Sequence, residues 1–210
     1  MAALDPPSTA HRALFGAAVA AGVATLAVTW TMASGATIPL WEESAFRTLN
    51  ELPDWIEGPG WIIMQLGSFI AILIVMVVSI VLLRDYRLAG RLASAGLAAW
   101  LLSKLVKAIV ERGRPDEFFS DIILRPGSDG LGFSSGHAAV SFALATLIGA
   151  ALPRTWCWIA WSVAGAAGLM RIYTAAHLPL DVIGGWGLGL AVGGAIALIP
   201  VRQTRRLSPD

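Results

Sequence analysis

The sequence predicts an all-α integral membrane bundle of six transmembrane helices. Three observations carry that prediction. The chain is 56% hydrophobic and only 14% charged, where a soluble domain is about a quarter charged. Its apolar residues gather into six runs near the ~20 residues that cross a hydrocarbon core. Between those runs lie short segments that hold most of the charges and prolines. A length of 210 residues fits one domain, 1–210, and a net charge of +1 offers no field for nucleic acid. The single cysteine, Cys157, excludes an intrachain disulfide and reads as a structural thiol in an apolar segment.

The first run covers 13–33. It ends in small residues, "MASGA", as a cleaved secretory signal does. Asp5, a lone preceding arginine and the length of the run favour a retained helix. The loop 34–60 carries Pro39, Pro53 and Pro59 among five acidic residues. Within it, "LWEESAFRTLNEL" has the pattern of a short amphipathic helix lying in the interface. The second run, 61–83, is uninterrupted. The third, 88–110, is apolar apart from Ser94, Ser103, Lys104 and Lys107. After the loop 111–134, the fourth run starts at Ser135 and stops before Pro153; it is the shortest. The fifth covers 156–175. The sixth, 179–201, opens on Pro179, which suits a first helical position where no N–H is needed. Its Gly184, Gly185, Gly187 and Gly189 suit close helix packing, within one chain or between two. Residues 1–12 and 202–210 are tails, the second read as a disordered basic segment. The chain has no internal repeat.

Charge orients the bundle. With six spans, Arg12, Arg84, Arg87, Arg91, Arg154, Arg202, Arg205 and Arg206 share the side of the termini. Arg47, Arg112, Arg114 and Arg125 lie opposite. The positive-inside rule then places both termini in the cytoplasm. Trp30, Trp41, Trp55 and Trp61 mark the outer interface, and Trp156 and Trp158 the inner one. Trp100, in mid-span, fits neither belt.

Polar groups at membrane depth are costly and so point to function. Three clusters fall on the outer face. In "KAIVERGRP", Lys107 and Arg114 sit at the end of the third helix. Each can snorkel to headgroups or hold an anion. Lys104, one turn deeper, pairs with a headgroup or a neighbour. Glu111 is spaced to pair with Lys107, and Arg112 reads as a solvated loop charge. In "GFSSGHAAVSF", Ser134, Ser135, Gly136 and His137 stand at the mouth of the fourth helix. Its first amides have no internal partners and suit an anion. The alternative there is an ordinary N-cap serine beside an incidental glycine and histidine. In "RIYTAAHLPLD", Arg171 ends the fifth helix and His177 occupies the turn. Asp181, in the first turn of the sixth helix, can reach back to His177. A carboxylate on one ring nitrogen frees the other for nucleophilic attack. The alternative is a capping Asp181 and an interfacial histidine. Together, three cations, two helix N-termini and two histidines suit a phosphoryl group, with one histidine as nucleophile and one as acid. No carboxylate cluster suits Mg²⁺, and two histidines with one aspartate make a poor zinc set.

The pattern Lys107-x6-Arg114-Pro115, then Ser135-Gly136-His137, then Arg171-x5-His177-x3-Asp181 resembles the three-part signature of the type 2 phosphatidic acid phosphatase (PAP2) superfamily. The resemblance spans 107–181, and the helix layout extends it over most of the chain. It implies the core shared with the haloperoxidases of that family and a hydrolase that uses no metal or cofactor. It implies His177 as the residue that attacks phosphorus, Asp181 as its orienter and His137 as acid to the leaving oxygen. Lys107, Arg114, Arg171, Ser135 and Gly136 are implied to hold the phosphoryl oxygens. Two positions depart from the family pattern. Ser134 replaces the usual proline, and Met170 replaces the serine before Arg171, removing a hydroxyl beside the phosphate site.

The first expectation is therefore a lipid phosphate or diphosphate phosphatase in the plasma or inner membrane with an extracytoplasmic site. Polyprenyl (undecaprenyl) diphosphate is the first substrate, with phosphatidylglycerophosphate, phosphatidate and a phosphorylated polyprenyl-linked sugar next. The alternatives are phosphotransfer to another lipid and a silent binder of lipid phosphate, the latter supported only by Met170.

Overall fold

In the computed structural model, which describes residues 9–35, 37–126 and 130–200, every regular element is a helix. They are α1 (Thr9–Ala33), α2 (Leu40–Asn50), α3 (Glu57–Gln65), α4 (Phe69–Val81), α5 (Tyr86–Val110), α6 (Pro115–Phe118), α7 (Gly136–Ala151), α8 (Arg154–Tyr173) and α9 (Pro179–Leu198). One 3-10 turn, Asp54–Ile56, precedes α3. The tail 202–210 and residues 1–8 of the other tail lie outside the described residues.

The six apolar runs each become helical, but the count of six spans is not reached on length and apolar character. Among the described residues, α1, the stretch Tyr86–Phe118 and α9 are long and apolar enough to cross a bilayer. Counting α3 and α4 as one bent span makes four. Helix α7, at 16 residues, is short for the task. Helix α8 has the length but falls short in apolar character, with Arg154 at one end and Arg171 at the other. The apolar helices remain those of an integral membrane protein.

The largest departure is in the second run. It is not one helix: α3 and α4 are bent by 58° at Leu66–Ser68. Gly67 explains the place of the break. A Cβ there would overlap the backbone of His137, so only glycine lets the chain turn this close to α7. The expected amphipathic helix forms as α2, and its buried face carries two polar residues beside Phe46. Glu42, Phe46 and Asn50 point inward at four-residue steps, while Leu40 and Trp41 are exposed.

Helix α7 packs on α5, α8 and α9. Glycines in α9 make the closest approaches. A Cβ on Gly189 would overlap the Ala139 carbonyl, and one on Gly193 would stand 2.8 Å from the Ala143 carbonyl oxygen. On the other side Gly187 meets Gly22 of α1, where a Cβ would stand 2.8 Å from its carbonyl oxygen. The α9 glycines thus serve packing within the chain. Two loose ends also close. Trp100 packs on Phe69 at a tilt, with centroids 5.4 Å apart, and Lys104 Nζ lies 3.8 Å over the Trp100 ring.

Candidate active site

Three chain segments meet above the N-terminus of α7, and the backbone fixes them to one another. The Gly132 N–H donates to the Arg112 carbonyl at 2.8 Å, and the Ser135 N–H donates to the Asp181 carbonyl at 2.8 Å. The turn between α8 and α9 folds back on itself. Ala176 and His177 both donate their N–H to the Arg171 carbonyl, at 3.0 and 3.1 Å. Ala175 sits at φ 57, the left-handed conformation that commonly ends a helix. Pro179 takes the first position of α9 as expected, and Asp181 Oδ2 accepts the N-cap Leu178 N–H at 2.8 Å.

Lys107 Nζ donates to the carbonyls of Leu131 and Gly132, at 2.6 and 2.7 Å, rather than to Glu111. Glu111 is exposed and ends α5 at φ 50. Arg114 is buried; Nε donates to the Gly130 carbonyl and Nη1 to the Ala176 carbonyl at 2.9 Å. Arg171, also buried, donates from Nη1 to the thioether sulfur of Met64 at 3.2 Å. Met170 turns toward α3, where its methyl fills the space that a Cβ on Gly60 would need. Ser134 and Ser135 are fully buried, and neither hydroxyl has a hydrogen-bond partner among the described residues. Ser135 is the N-cap of α7 without a side-chain cap bond. At Gly136 the missing side chain faces Ser103 of α5, whose Oγ would stand 3.1 Å from a Cβ. His137 is half-buried at the same helix end.

His177 is 2% exposed and Asp181 fully buried. Asp181 Oδ2 comes within 3.6 Å of His177 Nδ1, which is beyond hydrogen-bond reach. Burial, and then the charges of Lys107, Arg171, Arg114 and His137, hold the His177 pKa well below its ordinary value. A neutral imidazole in the field of three cations can attack an anionic electrophile drawn in by the same cations.

Arg112 overturns its reading as a solvated charge. It is 6% exposed and joins two buried carboxylates. Nη1 donates to Asp181 Oδ1 at 2.8 Å and to Glu42 Oε1 at 3.1 Å; Nη2 donates to Glu42 Oε2 at 2.7 Å. Glu42 was missed altogether. Its one sequence signal is the inward stripe Glu42–Phe46–Asn50 on α2. Arg125 is also buried. It stacks 3.8 Å over Tyr173 and donates to the Asn50 and Tyr173 carbonyls, both at 2.9 Å.

The profile of the PAP2 superfamily matches residues 88–205. An undecaprenyl-diphosphatase of Sulfolobus acidocaldarius is 30% identical over 108 residues, covering 50% of this chain and 52% of that protein. The chain thus spans about half the length of the curated relative it matches. A transmembrane PAP2-type phosphatidylglycerolphosphate phosphatase from Bacillus subtilis superposes with a TM-score of 0.68 at 21% identity, over 84% of this chain and 94% of its own. LpxE of Aquifex aeolicus superposes with a TM-score of 0.64 at 24% identity, over 73% and 92%. At such identities the two structures show a shared fold.

Proposed function

The chain belongs to the PAP2 superfamily of phosphatases, and from that premise we propose that it is a lipid diphosphate phosphatase working through a phosphohistidine on His177. The observation that carries this reading is the joining of the three segments around a buried His177: Lys107 donates to the Gly132 carbonyl, Arg114 to the Ala176 carbonyl, the Ser135 N–H to the Asp181 carbonyl and the His177 N–H to the Arg171 carbonyl, with Asp181 Oδ2 3.6 Å from Nδ1. Polyprenyl diphosphate is the proposed substrate, supported by the undecaprenyl-diphosphatase relative.

In the proposed reaction His177 Nε2 forms a bond to the terminal phosphorus. The bond to the bridging oxygen breaks, and His137 gives that oxygen a proton, releasing the polyprenyl monophosphate. Water then attacks phosphorus, His137 takes its proton back, and inorganic phosphate leaves. Lys107, Arg114, Arg171, the Ser135 hydroxyl and the first amides of α7 stabilise the charge on the phosphoryl oxygens. Three cations supply the electrostatic role that a metal has elsewhere, so the reaction is proposed to be metal-independent. Taking the six apolar runs as six crossings, the charge asymmetry of the loops supports cytoplasmic termini and a site at the outer face.

The test is phosphate release by purified protein in detergent with EDTA. Undecaprenyl diphosphate, phosphatidylglycerophosphate and phosphatidate are offered side by side. Release from the diphosphate, lost in His177→Ala, is expected. Full activity in His177→Ala overturns the mechanism, and preference for another lipid overturns the substrate.

A further inference from the structure

Asp181 has two oxygens, and both are committed inside the protein. Oδ2 accepts from the Leu178 N–H and faces His177 Nδ1; Oδ1 accepts from Arg112. Arg112 in turn is held by both oxygens of Glu42, and Glu42 Oε1 also accepts the Leu180 N–H at 2.9 Å. Glu42 and Asp181 are 0% exposed. A fully buried carboxylate on a short outer helix is expensive unless charge and hydrogen bonds match it, and here both do.

We propose that Glu42 and Arg112 are positioning residues for His177, setting both the orientation and the net charge of Asp181. The inference rests on His177 being the nucleophile. Orientation follows from geometry: with Oδ1 tied to Arg112, rotation of the carboxylate is blocked and Oδ2 stays on the Nδ1 side. Charge follows from counting. An Arg112–Asp181 pair alone is neutral. Adding Glu42 leaves one negative charge across the three groups, 3.6 Å from the ring. When Nε2 bonds to phosphorus the imidazole becomes cationic with its proton on Nδ1. Lys107, Arg114 and Arg171 oppose that charge; the surplus negative charge offsets it. Helix α2, which the sequence reads as an interfacial element, thereby belongs to the catalytic apparatus.

The test is the rate of ³²P labelling on His177 with alkaline quench, beside steady-state kinetics and detergent thermal melts. Glu42→Gln is expected to slow labelling and kcat by about tenfold to a hundredfold, with KM changed less than about threefold. Glu42→Asp, which keeps the charge on a shorter arm, is expected to fall between wild type and Gln. It also carries the test if the Gln variant fails to fold. Arg112→Lys cannot bridge both carboxylates and is expected to lose rate as Glu42→Gln does. A Glu42→Gln protein that melts lower but labels at the wild-type rate reduces the relay to a fold-stabilising one and overturns the inference. So does a Glu42→Asp protein no faster than Gln. No label on wild-type His177 instead overturns the underlying nucleophile assignment, whatever the variants do.

Discussion

Gly67 lies against the backbone of His137: a Cβ on it would stand 2.9 Å from the His137 carbonyl carbon and nearer still to the oxygen. The break between α3 and α4 is therefore a support for the first turn of α7. Gly67→Ala must push the two apart. It is expected to cost about 1–3 kcal/mol of stability, as overpacking does. It is also expected to misplace the proposed acid, so that kcat falls more for phosphatidate, whose alkoxide leaving oxygen needs a proton, than for p-nitrophenyl phosphate, whose leaving group does not. Equal losses on both substrates contradict this link to His137.

Arg171 meets Met64 through a thioether, a weak acceptor that a phosphoryl oxygen easily displaces. Met64→Gln offers the same guanidinium a stronger acceptor of similar length. Inhibition by inorganic vanadate is expected to weaken several-fold, with KM rising alike and kcat less affected. Met64→Leu, of similar volume, is expected to leave vanadate affinity within about twofold, since volume-conserving swaps are tolerated best. Unchanged vanadate inhibition in Met64→Gln contradicts a phosphate-facing Arg171.

The three motifs were legible because each is short in sequence and lies at a helix end, where spacing fixes geometry. His177 and Asp181 are one turn apart in any chain that starts a helix at Pro179. Arg112 and Glu42 were not legible, because 70 residues separate them and a charge in a loop looks the same exposed or buried. The bend at Gly67 was hidden by a run that is apolar on both sides of it. Apolar length measures what can be buried, and not whether lipid or protein covers it. Hence α9, whose residues are mostly buried inside the bundle, and the mostly exposed α1 gave the same signal.

Helix α9 offers a stability test with an internal control. Gly189 has no room for a Cβ against Ala139, whereas Gly165 in α8 has nothing within 4 Å of one. Gly189→Ala is expected to lower the melting temperature in detergent, by about 1–3 kcal/mol in stability terms. Gly165→Ala is expected to be neutral or to raise stability by roughly 0.5–1 kcal/mol, the usual helical gain over glycine. A reversed ranking contradicts the α7–α9 packing.

The neutral state of His177 gives a pH prediction. Burial and the surrounding cations lower its folded-state pKa below the ordinary value of about 6.5. From that lowered value up to about 6.5 the unfolded chain binds more protons than the folded one. Stability is therefore full above about 6.5 and declines as pH falls through that window. The kinetic profile is a poor probe, because a phosphate ester itself titrates near pH 6. Direct imidazole NMR of the ligand-free protein avoids that overlap. The chain has three histidines, so His11→Gln and His177→Gln assign the signals. The His177 ring is expected to remain neutral at about pH 6, where an ordinary histidine is mostly protonated. A midpoint at or above about 6.5 shows that Asp181 outweighs burial and the cations at the ring.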